Sequence, residues 1–222
     1  MKKTILAAAL ISTTVLAGTL AVHADDLDGL NGKSTAKIGL TTQDPNHPVG
    51  PIDPIDPDDN TPSNDPTGNT GDLRIDYMSK IDFGKQTISG KIETYTAKKP
   101  ALTTEVQISD LRGTGAGWHL QVNYDTEKPG FTSEDKTLSG AELTLPSGTA
   151  KSVADNKATP PATSKVVVNK AAQNIMTAAA KTGLGTWADE MEPGNVTLKV
   201  PSGNLVGDYT ATLVWTLSDA PA

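Results

Sequence analysis

Tyr209-Thr210-Ala211-Thr212-Leu213-Val214-Trp215-Thr216-Leu217 alternates two kinds of side chain along its whole length. Tyr209, Ala211, Leu213, Trp215 and Leu217 fall on one face of an extended chain, and Thr210, Thr212, Val214 and Thr216 on the other. Successive side chains of a strand point to opposite sides, so this stretch reads as a half-buried β-strand. Trp118-His119-Leu120-Gln121-Val122-Asn123-Tyr124 repeats the pattern with Trp118, Leu120, Val122 and Tyr124 on one side. Working outward, Leu73, Ile75 and Tyr77 share a face opposite Arg74 and Asp76, and Ile88 and Ile92 share one in a segment that runs to Tyr95. Further strands are expected within 102–108, 138–145, 165–169 and 196–200.

Clusters of Gly, Pro, Asn and Ser separate these runs: Lys128-Pro129-Gly130, Pro146-Ser147-Gly148, Pro193-Gly194-Asn195 and Pro201-Ser202-Gly203-Asn204. Short alternating strands between such turns predict an all-β fold, an antiparallel β-sandwich with Greek-key-like connections. One short helix at most is expected. The alanine-rich stretch 171–181 could form it, but it follows Val166-Val167-Val168 and reads equally as strand. Roughly 150 residues of domain bury about 68–70% of the surface that the unfolded chain exposes, enough for a core without cross-links.

Upstream of Gly71 the composition changes. Prolines recur at 45, 48, 51, 54, 57, 62 and 66 among Asp44, Asp53, Asp56, Asp58, Asp59 and Asp65. Proline removes N–H donors from helix and sheet, so 44–70 is expected to be an extended, solvated, acidic spacer. Its acids lack the glycine turn and closing glutamate of an EF-hand loop, so no metal is assigned to them. Residues 25–43 form a short N-terminal arm with Gly29, Gly32 and Gly39. Lys2 and Lys3, an uncharged and mostly apolar run to Val22, and Val22-His23-Ala24 have the layout of a secretory signal peptide covering 1–24. Its removal takes the formal net charge from −7 to −9 and leaves no membrane span. The expected organisation is therefore signal 1–24, arm 25–43, spacer 44–70 and β domain 71–222. No Leu-Pro-x-Thr-Gly sorting pentapeptide is found towards Ala222, so retention at a cell surface would be non-covalent.

The 222-residue chain contains no cysteine, which excludes disulfide scaffolds, thiolate metal sites and thiol catalysis. Its acidic balance is opposite to what nucleic-acid binding requires. Of the three histidines, His23 leaves with the signal and His47 lies in the spacer. His119 falls on the polar side of its strand, so a serine triad has no base and no catalytic residue is assigned. Carboxylates are scattered. Asp189-Glu190 beside Trp187 is the one acid–aromatic group worth inspecting for glycan hydrolysis. Gly113-x-Gly115-x-Gly117 has no strand–helix unit around it and is not a dinucleotide fingerprint. No cofactor is expected.

Trp118-His119-Leu120 and Trp215-Thr216-Leu217 form a pair of Trp-x-Leu motifs, the second close to the end of the chain. With the signal layout, Gly71-Asp72-Leu73, Ile81-Asp82-Phe83-Gly84, Gly183-Leu184-Gly185-Thr186-Trp187 and 196–201, the chain resembles the WxL family of Gram-positive surface proteins. The resemblance spans roughly 72–222. It implies a small, single-domain member, secreted and attached to the cell wall through peptidoglycan. It also implies assembly with another cell-surface protein as an alternative, with adhesion to a host matrix protein as a weaker one. The candidate contact residues are Trp118, Leu120, Trp187, Trp215 and Leu217. A Trp and a Leu on an apolar strand face serve a core equally well, and burying the pair contributes a few kcal/mol at about 25 cal/mol per Å². Trp187, flanked by Gly185 and Asp189 in an expected loop, is the strongest candidate for an exposed ring.

Overall fold

The computed structural model describes residues 34–55, 66–98 and 104–219. The expected signal, most of the arm and the central part of the spacer lie outside these residues. Residues 34–39 belong to a unit separate from 40–222 and are exposed, and the strands all lie in the second unit.

Among the described residues fourteen strands run in order, beginning with β1 (Leu73–Met78), β2 (Glu93–Thr96), β3 (Thr104–Asp110), β4 (Trp118–Tyr124), β5 (Thr132–Ser133), β6 (Lys136–Thr137) and β7 (Glu142–Leu145). They continue as β8 (Thr149–Ser152), β9 (Ala162–Thr163), β10 (Val166–Val167), β11 (Gln173–Ala178), β12 (Gly185–Met191), β13 (Thr197–Val200) and β14 (Leu213–Ser218). The only helical element among those residues is a single 3₁₀ turn, Pro193–Asn195. All strand pairings are antiparallel. Three four-stranded sheets result, in the orders β1-β3-β12-β8, β10-β7-β13-β2 and β14-β4-β11-β9, with β5-β6 as a small hairpin. The fold is all-β, and the inner faces of the three large sheets contribute to one hydrophobic core.

Strand β4 shows why the sequence takes this form. Its burial alternates strictly, with Trp118, Leu120, Val122 and Tyr124 inside and His119, Gln121 and Asn123 between them. Elsewhere the period is broken by bulges. In β1 the register slips between Ile75 and Tyr77, so Ile75 faces Ile108 across the pair whereas Tyr77 faces Gln107. Tyr77 therefore leaves the face of Leu73 and Ile75 and joins the polar face. In β11 a slip between Asn174 and Met176 lets two consecutive residues, Ile175 and Met176, both enter the core. Residues 171–181 thus yield a strand, because pairing with β4 and burial of Ile175, Met176 and Ala178 outweigh the helix preference of alanine. The segment at 88–95 is strand only from Glu93, and Ile88 and Ile92 are both exposed.

Most described spacer residues are exposed, as expected, but part of the spacer packs on the sheet. Every residue of β3 is buried, including Glu105, Gln107, Ser109 and Asp110, so this strand is covered on both faces. On the outer face Arg74 Nε donates to Asp76 (2.6 Å), as do Gln107 Nε2 (3.2 Å) and Ser109 Oγ (2.6 Å). Ser109 Oγ also meets Thr186 Oγ1 at 2.7 Å. Spacer carbonyls complete this layer: Val49 O accepts from Arg74 Nη2 at 3.1 Å and Ile52 O from Gln107 Nε2 at 2.8 Å. Asp53 and Pro54 are buried against the unit. Further along, Thr67 N donates to Asp76 O (2.8 Å), and Gln43 Nε2 to Thr70 O (2.8 Å) ties the two ends of the stretch together. Replacing Ser109 by Ala removes a buried hydroxyl shared by Asp76 and Thr186, for an expected loss of about 1–2 kcal/mol in urea unfolding. A loss within error would mean that the Ser109 hydroxyl does not stabilise this layer.

Candidate functional site

The two Trp-x-Leu motifs, nearly a hundred residues apart in sequence, lie on neighbouring strands. β14 pairs with β4 so that Leu217 stands opposite Leu120, Ser218 opposite His119 and Trp215 opposite Val122. Directly opposed residues share a face, so Leu213, Trp215 and Leu217 continue the inner face of β4. The strands differ in burial. Trp118 and Leu120 are fully buried, while Trp215 and Leu217 are half-buried because β14 is the outer strand of its sheet. Trp118 Nε1 donates to Gly183 O at 3.1 Å. Gly183 has φ +67°, and a Cβ there would stand 2.5 Å from the Ala178 Cβ and 3.0 Å from the Trp118 indole nitrogen. Only glycine combines that backbone conformation with so close an approach.

Trp187 is not a loop residue. It lies in β12 opposite Ile108 of β3 and Ser152 of β8, is 4% exposed, and donates from Nε1 to Leu184 O at 2.9 Å. Gly185, with φ +84°, opens the strand. Of the five candidate contact residues, Trp118, Leu120 and Trp187 therefore belong to the core, and only Trp215 and Leu217 reach the surface.

At the C-terminal end of β14 a groove of about 690 Å³ runs between this strand and β1. Leu217, Ser218 and Asp219 line one side, and Leu73, Arg74, Ile75 and Arg112 line the other. Arg112 grips Asp110 through Nε and Nη2 (both 2.9 Å) and donates to Gly117 O, directly before Trp118. The Asp110 carboxylate holds the guanidinium above its ordinary pKa, so it stays charged. The groove is thus a mixed surface of aliphatic side chains and two arginines whose positions are fixed.

The acids named in the sequence do not converge. Asp189 and Glu190 are consecutive strand residues on opposite faces: Asp189 is completely buried on the core side, between Trp187 and Met191, and Glu190 is half-buried outside. Burial pushes the Asp189 carboxyl up to about 7, partly offset by the backbone N–H of Gly148. His119 is half-buried on the polar side of β4. Among the described residues no three His, Asp or Glu side chains stand close enough together to hold a metal ion.

One concave feature escaped the sequence reading. A pocket of about 630 Å³ is lined by Lys128, Thr132, Ser133, Glu134, Lys136, Gly207, Asp208, Thr210 and Thr212. The threonines carry no distinctive spacing, and Thr132 and Thr210 are brought together by two backbone hydrogen bonds (2.8 and 2.9 Å).

The profile described as "WxL domain surface cell wall-binding" matches residues 28–221 of the chain. No curated protein and no solved structure matches it significantly. The match begins well upstream of Gly71 and so takes in the spacer residues that pack on β1 and β3. It covers nearly the whole sequence, including both Trp-x-Leu strands, and the chain belongs to the WxL family of surface cell wall-binding domains.

Proposed function

We propose that the chain is a secreted, non-enzymatic surface protein that holds itself to the bacterial wall by binding peptidoglycan without a covalent link. The observation that carries this reading is the division of labour between the paired motifs. Trp118 and Leu120 anchor the inner strand in the core, which leaves Trp215 and Leu217 half-exposed on an outer strand whose end opens into the groove. The charge of −9 left once 1–24 are removed supports a neutral glycan as the wall component, since anionic wall polymers are repelled by it. Signal, arm and spacer are assigned as in the sequence reading, with 1–24 removed on export.

The test is co-sedimentation of residues 25–222 with purified Gram-positive sacculi. Binding is expected to persist in moderate salt, because no ionic attraction is being screened. Leu217→Asn is expected to weaken it about tenfold while the variant still melts cooperatively. A wild-type chain that stays in the supernatant at every salt concentration overturns the reading. The outer edge of β14, unpaired by any strand among the described residues, favours a second reading, in which another surface protein adds a strand there. Retention by intact cells but not by bare sacculi would select it.

A further inference from the structure

We infer that the pocket at the N-terminal end of β14 is a saccharide subsite for an uncharged, N-acylated amino-sugar glycan. This rests on the wall-binding reading and deepens it by naming the place and the chemistry of the contact. Every residue lining the pocket is polar or glycine. Four hydroxyls, from Thr132, Ser133, Thr210 and Thr212, are placed there, and among the described residues none of them is spent on an internal hydrogen bond. A hydroxyl both donates and accepts, which suits a ligand whose own groups are hydroxyls and amides. Two lysines and two carboxylates contribute cancelling charges, so the lining favours neither an anionic nor a cationic polymer. The volume falls within the ~300–1,000 Å³ of small-molecule sites.

The pocket is also preorganised. The paired backbones of Thr132 and Thr210 fix one wall, and Asp125 N to Thr212 O (3.0 Å) fixes the next. Lys136 Nζ donates to Val206 O (3.0 Å) and Tyr209 OH to Leu205 O (2.9 Å). Asn204 is tied to Ser139 from both sides, through its Oδ1 and its Nδ2. These bonds hold the loop that leads into the lining residues Gly207 and Asp208, with Leu205 65% and Val206 76% exposed. Two exposed aliphatic side chains next to the lining in sequence suit the methyl of an acyl group or the C–H face of a sugar ring. Thr212 and Leu217 are five residue steps apart, about 17 Å at the ordinary strand rise, and belong to opposite faces of the strand, so the pocket is a contact separate from the groove.

The test uses residues 25–222 with soluble N-acetylglucosamine oligosaccharide, with polyglycerol phosphate as a second probe. Amide resonances are followed by NMR, and sacculus binding is measured in parallel. The oligosaccharide is expected to shift resonances at Thr132, Thr210 and Thr212, and Thr132→Val with Thr210→Val to weaken it about tenfold. Valine keeps the β-branched shape, and an unchanged melting temperature confirms that the fold survives. Oligosaccharide shifts confined to the groove, unaltered affinity in the double variant, or preferential binding of polyglycerol phosphate overturns the inference. If wild type still sediments with sacculi in those cases, the wall-binding reading stands without this subsite. If it does not, the broader reading fails as well.

Discussion

Lowering the pH from 7.5 to 5 should stabilise this protein by about 2–3 kcal/mol, and Asp189→Asn should abolish most of that gain. Asp189 is fully buried among core residues, and its pKa is raised from 3.8 to about 7. The Gly148 N–H lies near its carboxyl without completing a well-aligned hydrogen bond to either oxygen. Between the two pKa values the native state binds a proton that the unfolded chain releases. The contribution is therefore complete below about pH 4 and is lost as pH rises through about 7. Over the whole window the shift corresponds to about 4 kcal/mol, an upper figure for an ionised group the core does not solvate. Urea unfolding of wild type and Asp189→Asn at pH 5, 6 and 7.5 checks this. A flat wild-type profile, or an equal slope in both proteins, would remove Asp189 as the cause. Exposed Asp44 and Asp82, whose pKa values are lowered by His47 and by the Gly84 N–H respectively, titrate with the opposite sign and leave the difference between the two proteins intact.

The paired tryptophans should separate just as clearly. Trp118→Ala empties a fully buried site and strands the Gly183 carbonyl that accepts from the indole, for an expected loss of about 3–5 kcal/mol. Trp215→Ala, on the half-buried outer strand, should cost only about 1–2 kcal/mol. Chemical denaturation of both variants at one pH measures the difference. Equal losses would mean that the outer ring is as much a core element as the inner one, and would count against its role at the surface.

Much of the architecture is legible in the alternation of β4 and β14, where one period continues through the strand. It fails where two residues share a side, as at Asp76–Tyr77 and Ile175–Met176, since a bulge leaves no local signal in residue type. Trp187 reads as a loop residue because its neighbour Gly185 suggests a turn, whereas the positive φ of that glycine starts a strand. The contacts of the spacer are hidden for a different reason. Proline runs lack donors, but their carbonyls remain free to accept, and Arg74 and Gln107 are donors that need such partners. Of the site, the candidate residues are visible as a motif. Which of them reach the surface depends on strand order, which only the assembled sheets reveal.

The bond between Gln43 and Thr70 closes a ring of chain whose flanks are already fastened to the sheet. The entropy of closing such a ring grows only with the logarithm of its length. A change in the length of chain joining Ile55 to Pro66 therefore alters the closure entropy by well under about 1 kcal/mol. Anchoring on both flanks thus makes the geometry of the sheets insensitive to the span of chain between them.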